Sequence, residues 1–194
     1  MIKAHRIERE EALGWLLDKD LLTIGSCADG VRRTLHPENR VTFIVDRNVN
    51  YTNICESKCS FCAFYRDKDA ADAYTLSCEQ IYEKIDELVN QGGTQLLMQG
   101  GLNTDLKIDF FEDLFREIKI RFPMVQNHSL SPAELVCIAS NSALNLDETL
   151  LRLKTAGLDS VPGGGAEILV DEVRGSISPK KIGWQQWCEV MQKA

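Results

Sequence analysis

Three cysteines fall within eight residues, in the order Cys55-Glu-Ser-Lys-Cys59-Ser-Phe-Cys62. Three thiolates at this C-x3-C-x2-C spacing can close around one soft metal centre. A structural zinc site takes four protein ligands, usually as two C-x2-C pairs, and no fourth ligand stands nearby. Ferredoxin loops space their cysteines C-x2-C-x2-C and add a further one, which does not match either. Three cysteines on a cubane iron–sulfur cluster leave one iron without a protein ligand, open to a small molecule. Two plainer readings stand beside this: three small half-buried side chains, or a zinc site completed by His or Asp from elsewhere. The remaining cysteines, Cys27, Cys78, Cys137 and Cys188, stand alone and read as ordinary small hydrophobes.

A strand should lead into the cysteines: Val41–Asn53, V-T-F-I-V-D-R-N-V-N-Y-T-N, is β-rich and partly alternating. The forty residues before it read as helical, with Ala12, Leu13, Leu16 and Leu17 at helix spacing, then Leu21, Leu22 and Ile24 ahead of a break at Gly25. After the cysteines, helix and strand alternate. Ser77 and Gln80 form a capping box for a helix ended by Gly92-Gly93. Thr94–Gln99 is a short buried strand. Asp109, with Glu112 three residues on, is expected to cap the next helix. Met124–Leu130 is a third strand, and Ser131-Pro132-Ala133-Glu134 opens a third helix. That helix should break near Asn141 and restart at Asn145, and Leu158–Val161 would be a fourth strand. A last helix should cover residues 183–192. Strand–helix alternation of this kind implies right-handed βαβ units and a parallel sheet, covered on both faces as a doubly wound layer or a barrel. The polar and glycine-rich segments Cys55–Cys62, Gln99–Asn103, His128–Ser131 and Pro162–Glu167 all fall at strand C-terminal ends, where α/β folds bind ligands.

Composition narrows the class. The apolar and charged fractions are ordinary for a globular chain, and 22 Lys+Arg against 29 Asp+Glu argues against nucleic acid as a partner. The longest apolar runs are far short of a membrane span. The first residues, M-I-K-A-H-R-I-E-R-E-E, do not read as a signal peptide, so the seven cysteines are not expected to form disulfides. A cytoplasmic protein is expected.

The cysteine segment, with the aromatic Phe61 just before Cys62, resembles the C-x3-C-x-φ-C signature of the radical S-adenosylmethionine superfamily. More narrowly, the chain is similar to the dehypoxanthine futalosine cyclases of menaquinone biosynthesis. The similarity runs through residues 41–55, C-S-F-C-A-F-Y-R (59–66), Q-G-G-L-N (99–103), H-S-L-S-P-A-E (128–134) and L-D-S-V-P-G-G-G-A-E-I-L (158–169). Aminofutalosine synthases and the radical enzymes that build deazaflavin cofactors share the cluster motif. The resemblance implies a parallel βα partial barrel of about four strands over residues 41–194, preceded by a helical segment over residues 1–40. It implies that Cys55, Cys59 and Cys62 hold a 4Fe–4S cluster whose open iron chelates S-adenosylmethionine. One electron would then split the sulfonium to give a 5′-deoxyadenosyl radical, which takes a ribose hydrogen and so starts ring closure of dehypoxanthine futalosine.

The resemblance places Phe61, Gln99, Gly100 and Gly101 at the cofactor, with the glycine turn against the methionine amino group. Ser160 and Glu167 would serve the nucleoside hydroxyls. His128 and Ser131 are weaker substrate-binding candidates, and Ser131 and Glu134 read first as a helix cap. Tyr65 and Arg66 could close over the cluster, with Arg66 alternatively paired to Asp67 or Asp69. His5 and His36 read as surface residues. An electron donor such as flavodoxin or ferredoxin and a nucleoside-like substrate are the implied partners. A radical barrel of this kind has six βα units. A chain with four is a fragment, a split enzyme completed by a second chain, or a decayed and inactive copy, and its apolar sheet face is expected to be uncovered.

Overall fold

The computed structural model describes residues 6–38 and 40–194, so His5 lies outside the described residues. Residues 1–43 and 44–194 form two compact units. In the first, α1 (Arg9–Asp18) and α2 (Leu21–Leu35) bury no residue. The break expected at Gly25 falls instead at Lys19-Asp20. There Asp20 caps α2 by accepting the Thr23 N–H, and the helix continues through Gly25. A glycine inside a helix costs about 1 kcal/mol, too little to end one that is capped and fifteen residues long.

The second unit runs β1 (Asp46–Asn50), α3 (Cys78–Asn90), β2 (Gln95–Gln99), α4 (Ile108–Arg121), β3 (Gln126–Ser129), α5 (Pro132–Asn141), α6 (Leu146–Ala156), α7 (Asp171–Ile177) and α8 (Trp184–Lys193). The three strands form one parallel sheet in the order β1-β2-β3, with Asn50 opposite Gln99 and Leu97 opposite His128. The strand expected from Val41 begins only at Asp46. Its partner explains this: β2 starts just after the turn at Gly92-Gly93, and the Thr94 N–H reaches back no further than the Val45 carbonyl. The expected fourth strand is a single parallel bridge between His128 and Ser160, because Pro162 and three glycines follow at once.

Capping chemistry sets most helix starts. Both predicted capping boxes form, Ser77 with Gln80 and Ser131 with Glu134, and Asn145 caps α6. Asp109 does not cap α4. It sits in the first turn, and the Ile108 N–H is taken by the Ser142 hydroxyl at 2.9 Å. Asp109 and Glu112 both bind Arg152 of α6 instead, Glu112 through two hydrogen bonds of 2.9 and 2.7 Å. Helix α7 was not expected, since its seven residues include Gly175 and show no apolar stripe.

The core fills the space between one sheet face and the helices. Val49, Leu96 and Met98 meet Ile81, Ile85 and Leu88 of α3, and Phe111, Leu114, Phe115 and Ile118 of α4. The opposite sheet face carries Asn48, Asn50, Leu97, Gln99 and His128, residues paired in register. The expectation of an uncovered apolar face is therefore corrected. Four of these five side chains are polar, as suits a wall that surrounds a ligand.

Candidate cluster and cofactor site

All three strands deliver their chemistry to one edge. Cys55 lies just past β1, Gly100-Gly101 follow β2 directly, and Ser131 stands two residues beyond β3. Between them opens a cavity of about 300 Å³, lined by Cys55, Cys59, Cys62, Gln99, Gly100 and Gly101 and also by Phe61, Tyr65, Ser131, Glu134, Gly164, Glu167 and Lys181.

The cysteine loop is tied at its base. The Cys55 N–H donates to the Arg66 carbonyl at 3.2 Å, and the Arg66 N–H donates to the Asn53 carbonyl at 2.8 Å. Buried Asn53 holds the return chain with both ends of its amide: Nδ2 donates to the Asp72 carbonyl and Oδ1 accepts the Tyr74 N–H. Arg66 pairs with Asp72 at 2.7 Å, and not with Asp67 or Asp69; Asp67 is taken by Lys58. Within the loop, Lys58 adopts a left-handed conformation at φ 49°, and the Ser57 hydroxyl lies 3.3 Å from the Cys59 sulfur. A contact from α7 seats the loop from above, the Ser60 N–H donating to the Ile177 carbonyl at 2.8 Å.

The glycine turn needs its glycines. A Cβ on Gly101 would lie 2.2 Å from the Ile54 carbonyl oxygen and 2.7 Å from Cys55 Cβ, so the turn and the first cysteine are in direct contact. A Cβ on Gly164 would lie 2.4 Å from Gln99 Nε2, which shows how closely the last glycine loop approaches the end of β2.

Behind the turn stands Glu134, 2% exposed. Its carboxylate accepts the Tyr51 hydroxyl at 2.8 Å, the Gly100 N–H at 2.9 Å and the Ser131 N–H at 2.7 Å. Burial pushes the Glu134 carboxyl up, against the pull of these donors, and burial with the neighbouring carboxylate pushes the Tyr51 phenol well above its ordinary value. Just before Ser131, Leu130 sits at φ 64° in the hydrophobic core, an uncommon and strained conformation for a bulky side chain.

The far wall comes from the segment between α6 and α8. Buried Arg174 donates to the carbonyls of Gly165, Ala166, Ile168 and Ile182, gathering that segment around one guanidinium. Lys181 pairs with Glu167 at 2.6 Å and places its ammonium 5.7 Å over the Phe61 ring. Arg174 and Lys181 were missed in the sequence because a lone cation there has no spacing to mark it.

Ser160 and His128 are placed elsewhere. They bridge to one another, with the Ser160 hydroxyl 2.6 Å from His128 Nδ1, in the row of Asn48 and Leu97. That row is two residues, about 7 Å, deeper along the strands than Asn50 and Gln99. Neither residue lines the cysteine cavity.

The donor set fits an iron–sulfur cluster. All three cysteines line one cavity, and among the described residues no fourth cysteine and no histidine lines it with them. A 4Fe–4S cluster can take three thiolates and leave one iron for a small molecule, whereas a structural zinc site takes four protein ligands.

Residues 49–194 match the family model of the Radical SAM superfamily. The chain belongs to the radical SAM superfamily. Its members use a 4Fe–4S cluster and S-adenosylmethionine. The chain is 46% identical over 190 residues to a cyclic dehypoxanthine futalosine synthase of Halalkalibacterium halodurans, covering 98% of this chain and 51% of that protein. It is 44% identical over 190 residues to a 5-amino-6-(D-ribitylamino)uracil–L-tyrosine 4-hydroxyphenyl transferase of Methanothermobacter thermautotrophicus, covering 97% and 52%. It thus spans about half the length of these curated relatives. The crystal structure of methylornithine synthase superposes with a TM-score of 0.72 at 15% identity, over 98% of this chain and 53% of that one. That likeness supports the partial radical SAM barrel as the fold. Among the described residues, no helix is long and apolar enough to cross a membrane.

Proposed function

We propose that this chain is the cluster-bearing portion of an enzyme that cyclises dehypoxanthine futalosine in menaquinone biosynthesis, working in the cytoplasm. One observation carries the chemistry: the three cysteines and the Gln99-Gly100-Gly101 turn wall the same cavity. When bound, the cluster and S-adenosylmethionine supply one-electron cleavage of a sulfonium and with it a hydrogen-abstracting carbon radical.

The chain's own residues hold and shield that chemistry. Cys55, Cys59 and Cys62 would ligate the cluster through their thiolates. Gln99, Gly100 and Gly101 would hold the methionine end of the cofactor, where the missing Cβ atoms let backbone approach closely. Phe61 and Glu167 would flank the nucleoside end, with Glu167 held in place by Lys181. Ser131 lines the same cavity and is assigned to its substrate side. Ser160 and His128 sit a row deeper and are assigned to the substrate as a hydrogen-bonded pair. A substrate entering along the polar sheet face would reach them after passing Asn50 and Gln99. Electrons would come from a small donor such as flavodoxin or ferredoxin.

Identity to the halalkaliphile cyclase over nearly the whole chain favours this substrate. A second reading, hydroxyphenyl transfer in deazaflavin-precursor synthesis, is favoured by the 44% identity to the methanogen enzyme. Fusing the chain to the remaining portion of each relative in turn separates the two. Cyclised dehypoxanthine futalosine from the first fusion, with no tyrosine-derived product from the second, is expected. Turnover by the second fusion alone would overturn the proposed substrate.

A further inference from the structure

Glu134 satisfies the helix-cap role expected of it, yet the cap uses only half of its carboxylate. Oε2 accepts the Ser131 N–H, completing the capping box, while Oε1 reaches across to the Gly100 N–H and the Tyr51 hydroxyl. A capping glutamate on a solvated helix end makes no such cross-chain contact. Here the carboxylate joins three strand ends: Tyr51 after β1, Gly100 after β2 and Ser131 after β3.

We propose that Glu134 is a positioning residue for S-adenosylmethionine, fixing the orientation of the glycine turn through the Gly100 N–H. The inference rests on the cofactor reading above and adds a residue to it. A trans peptide is planar, with its N–H and C=O pointing in opposite directions, so anchoring the Gly100 N–H on Glu134 sets the direction of the Gln99 carbonyl. The next amide is anchored as well, since the Gly101 N–H donates to the Thr52 carbonyl at 3.0 Å. Two consecutive glycines would otherwise sample many conformations, and freezing them before the ligand arrives removes that entropic cost from binding. The Glu134 oxygens stay fixed because the Tyr51 ring that supports them is buried and stacked edge-on against Phe111, with centroids 5.5 Å apart. Glu134 lines the cavity beside the turn that it holds.

Two readouts test this on the intact chain. The first is hydrogen exchange at the Gly100 amide, followed by NMR without the cluster. The second is S-adenosylmethionine affinity, followed through the reduced cluster's EPR signal after anaerobic reconstitution. Glu134→Leu, which removes every acceptor, is expected to speed exchange at Gly100 and to weaken affinity by about tenfold or more while iron and sulfide content stays unchanged. Glu134→Gln keeps one oxygen for Gly100 and should recover most of the affinity, a rescue that a purely structural role would not give. Should Glu134→Leu fail to fold, Tyr51→Phe decides, with about a threefold to tenfold loss expected in the same assay and faster Gly100 exchange. Unchanged exchange and unchanged affinity in the variant used would overturn this inference alone. Failure of the unaltered chain to bind S-adenosylmethionine would overturn the cofactor reading with it.

Discussion

At the scale of single residues, the chemistry depends on positions where substitution has a definite steric or ligand consequence. Replacing any one of Cys55, Cys59 or Cys62 by Ala should abolish the iron–sulfur cluster, whereas Cys78→Ala, on α3 and outside the cavity lining, should not. Iron and sulfide per chain measure this directly, and full iron in Cys59→Ala would overturn the ligand assignment. Gly101→Ala should be nearly as damaging, since its Cβ would strike the Ile54 carbonyl and the Cβ of Cys55. Overpacking of this kind costs about 1–3 kcal/mol, and here the strain is relieved by displacing the first cysteine. A Gly101→Ala chain with normal cluster content would contradict that close contact. That the cysteines, Gln99 and the glycines meet at one sheet edge was legible in the sequence, because their segments fall at strand C-terminal ends. The second role of Glu134 was not legible, because a capping box explains the residue fully until Tyr51 and Gly100 are seen to share its carboxylate.

At the scale of elements, capping and helix pairing set the frame. Ser131→Ala removes the cap of α5 and should cost about 1 kcal/mol of stability, seen as a lower melting temperature. Phe115→Ala, in the centre of α4 and fully buried, should cost about 3–5 kcal/mol through the cavity that it leaves. The pairing of α4 with α6 should weaken in acid. Hydrogen bonding to the Arg152 guanidinium holds Glu112 below its ordinary value of 4.5. The stabilisation is therefore complete above the ordinary carboxylate range and is lost as pH falls through the lowered folded-state value. Glu112→Gln should be less stable than the parent at pH 7, and the gap should close in strong acid; a gap that widens on acidification would refute the assignment. Helix starts at Ser77, Ser131 and Asn145 were readable because a short polar side chain before an apolar run has one dominant use. Asp109 misled for the same reason: its carboxylate is drawn to Arg152, forty-three residues away in sequence, and no local pattern reveals that partner.

For the whole molecule, the sheet itself explains why the site sits where it does. A parallel order brings every strand's C-terminal end to the same edge, so residues far apart in sequence meet around one cavity. Strand alternation made that edge legible in advance. The polar character of the open face was less so, because Asn48, Asn50 and Gln99 come together only once the register is fixed. The segment around Arg174 was invisible for a similar reason: its order comes from carbonyls converging on one buried guanidinium. On this reading the chain forms a cluster site with an open iron that takes S-adenosylmethionine. Low-temperature EPR of the chain, reconstituted anaerobically with iron and sulfide and then reduced, tests it most directly. A reduced 4Fe–4S signal that shifts on addition of S-adenosylmethionine is the predicted result. A signal that does not shift, or no cluster at all, would contradict the claim.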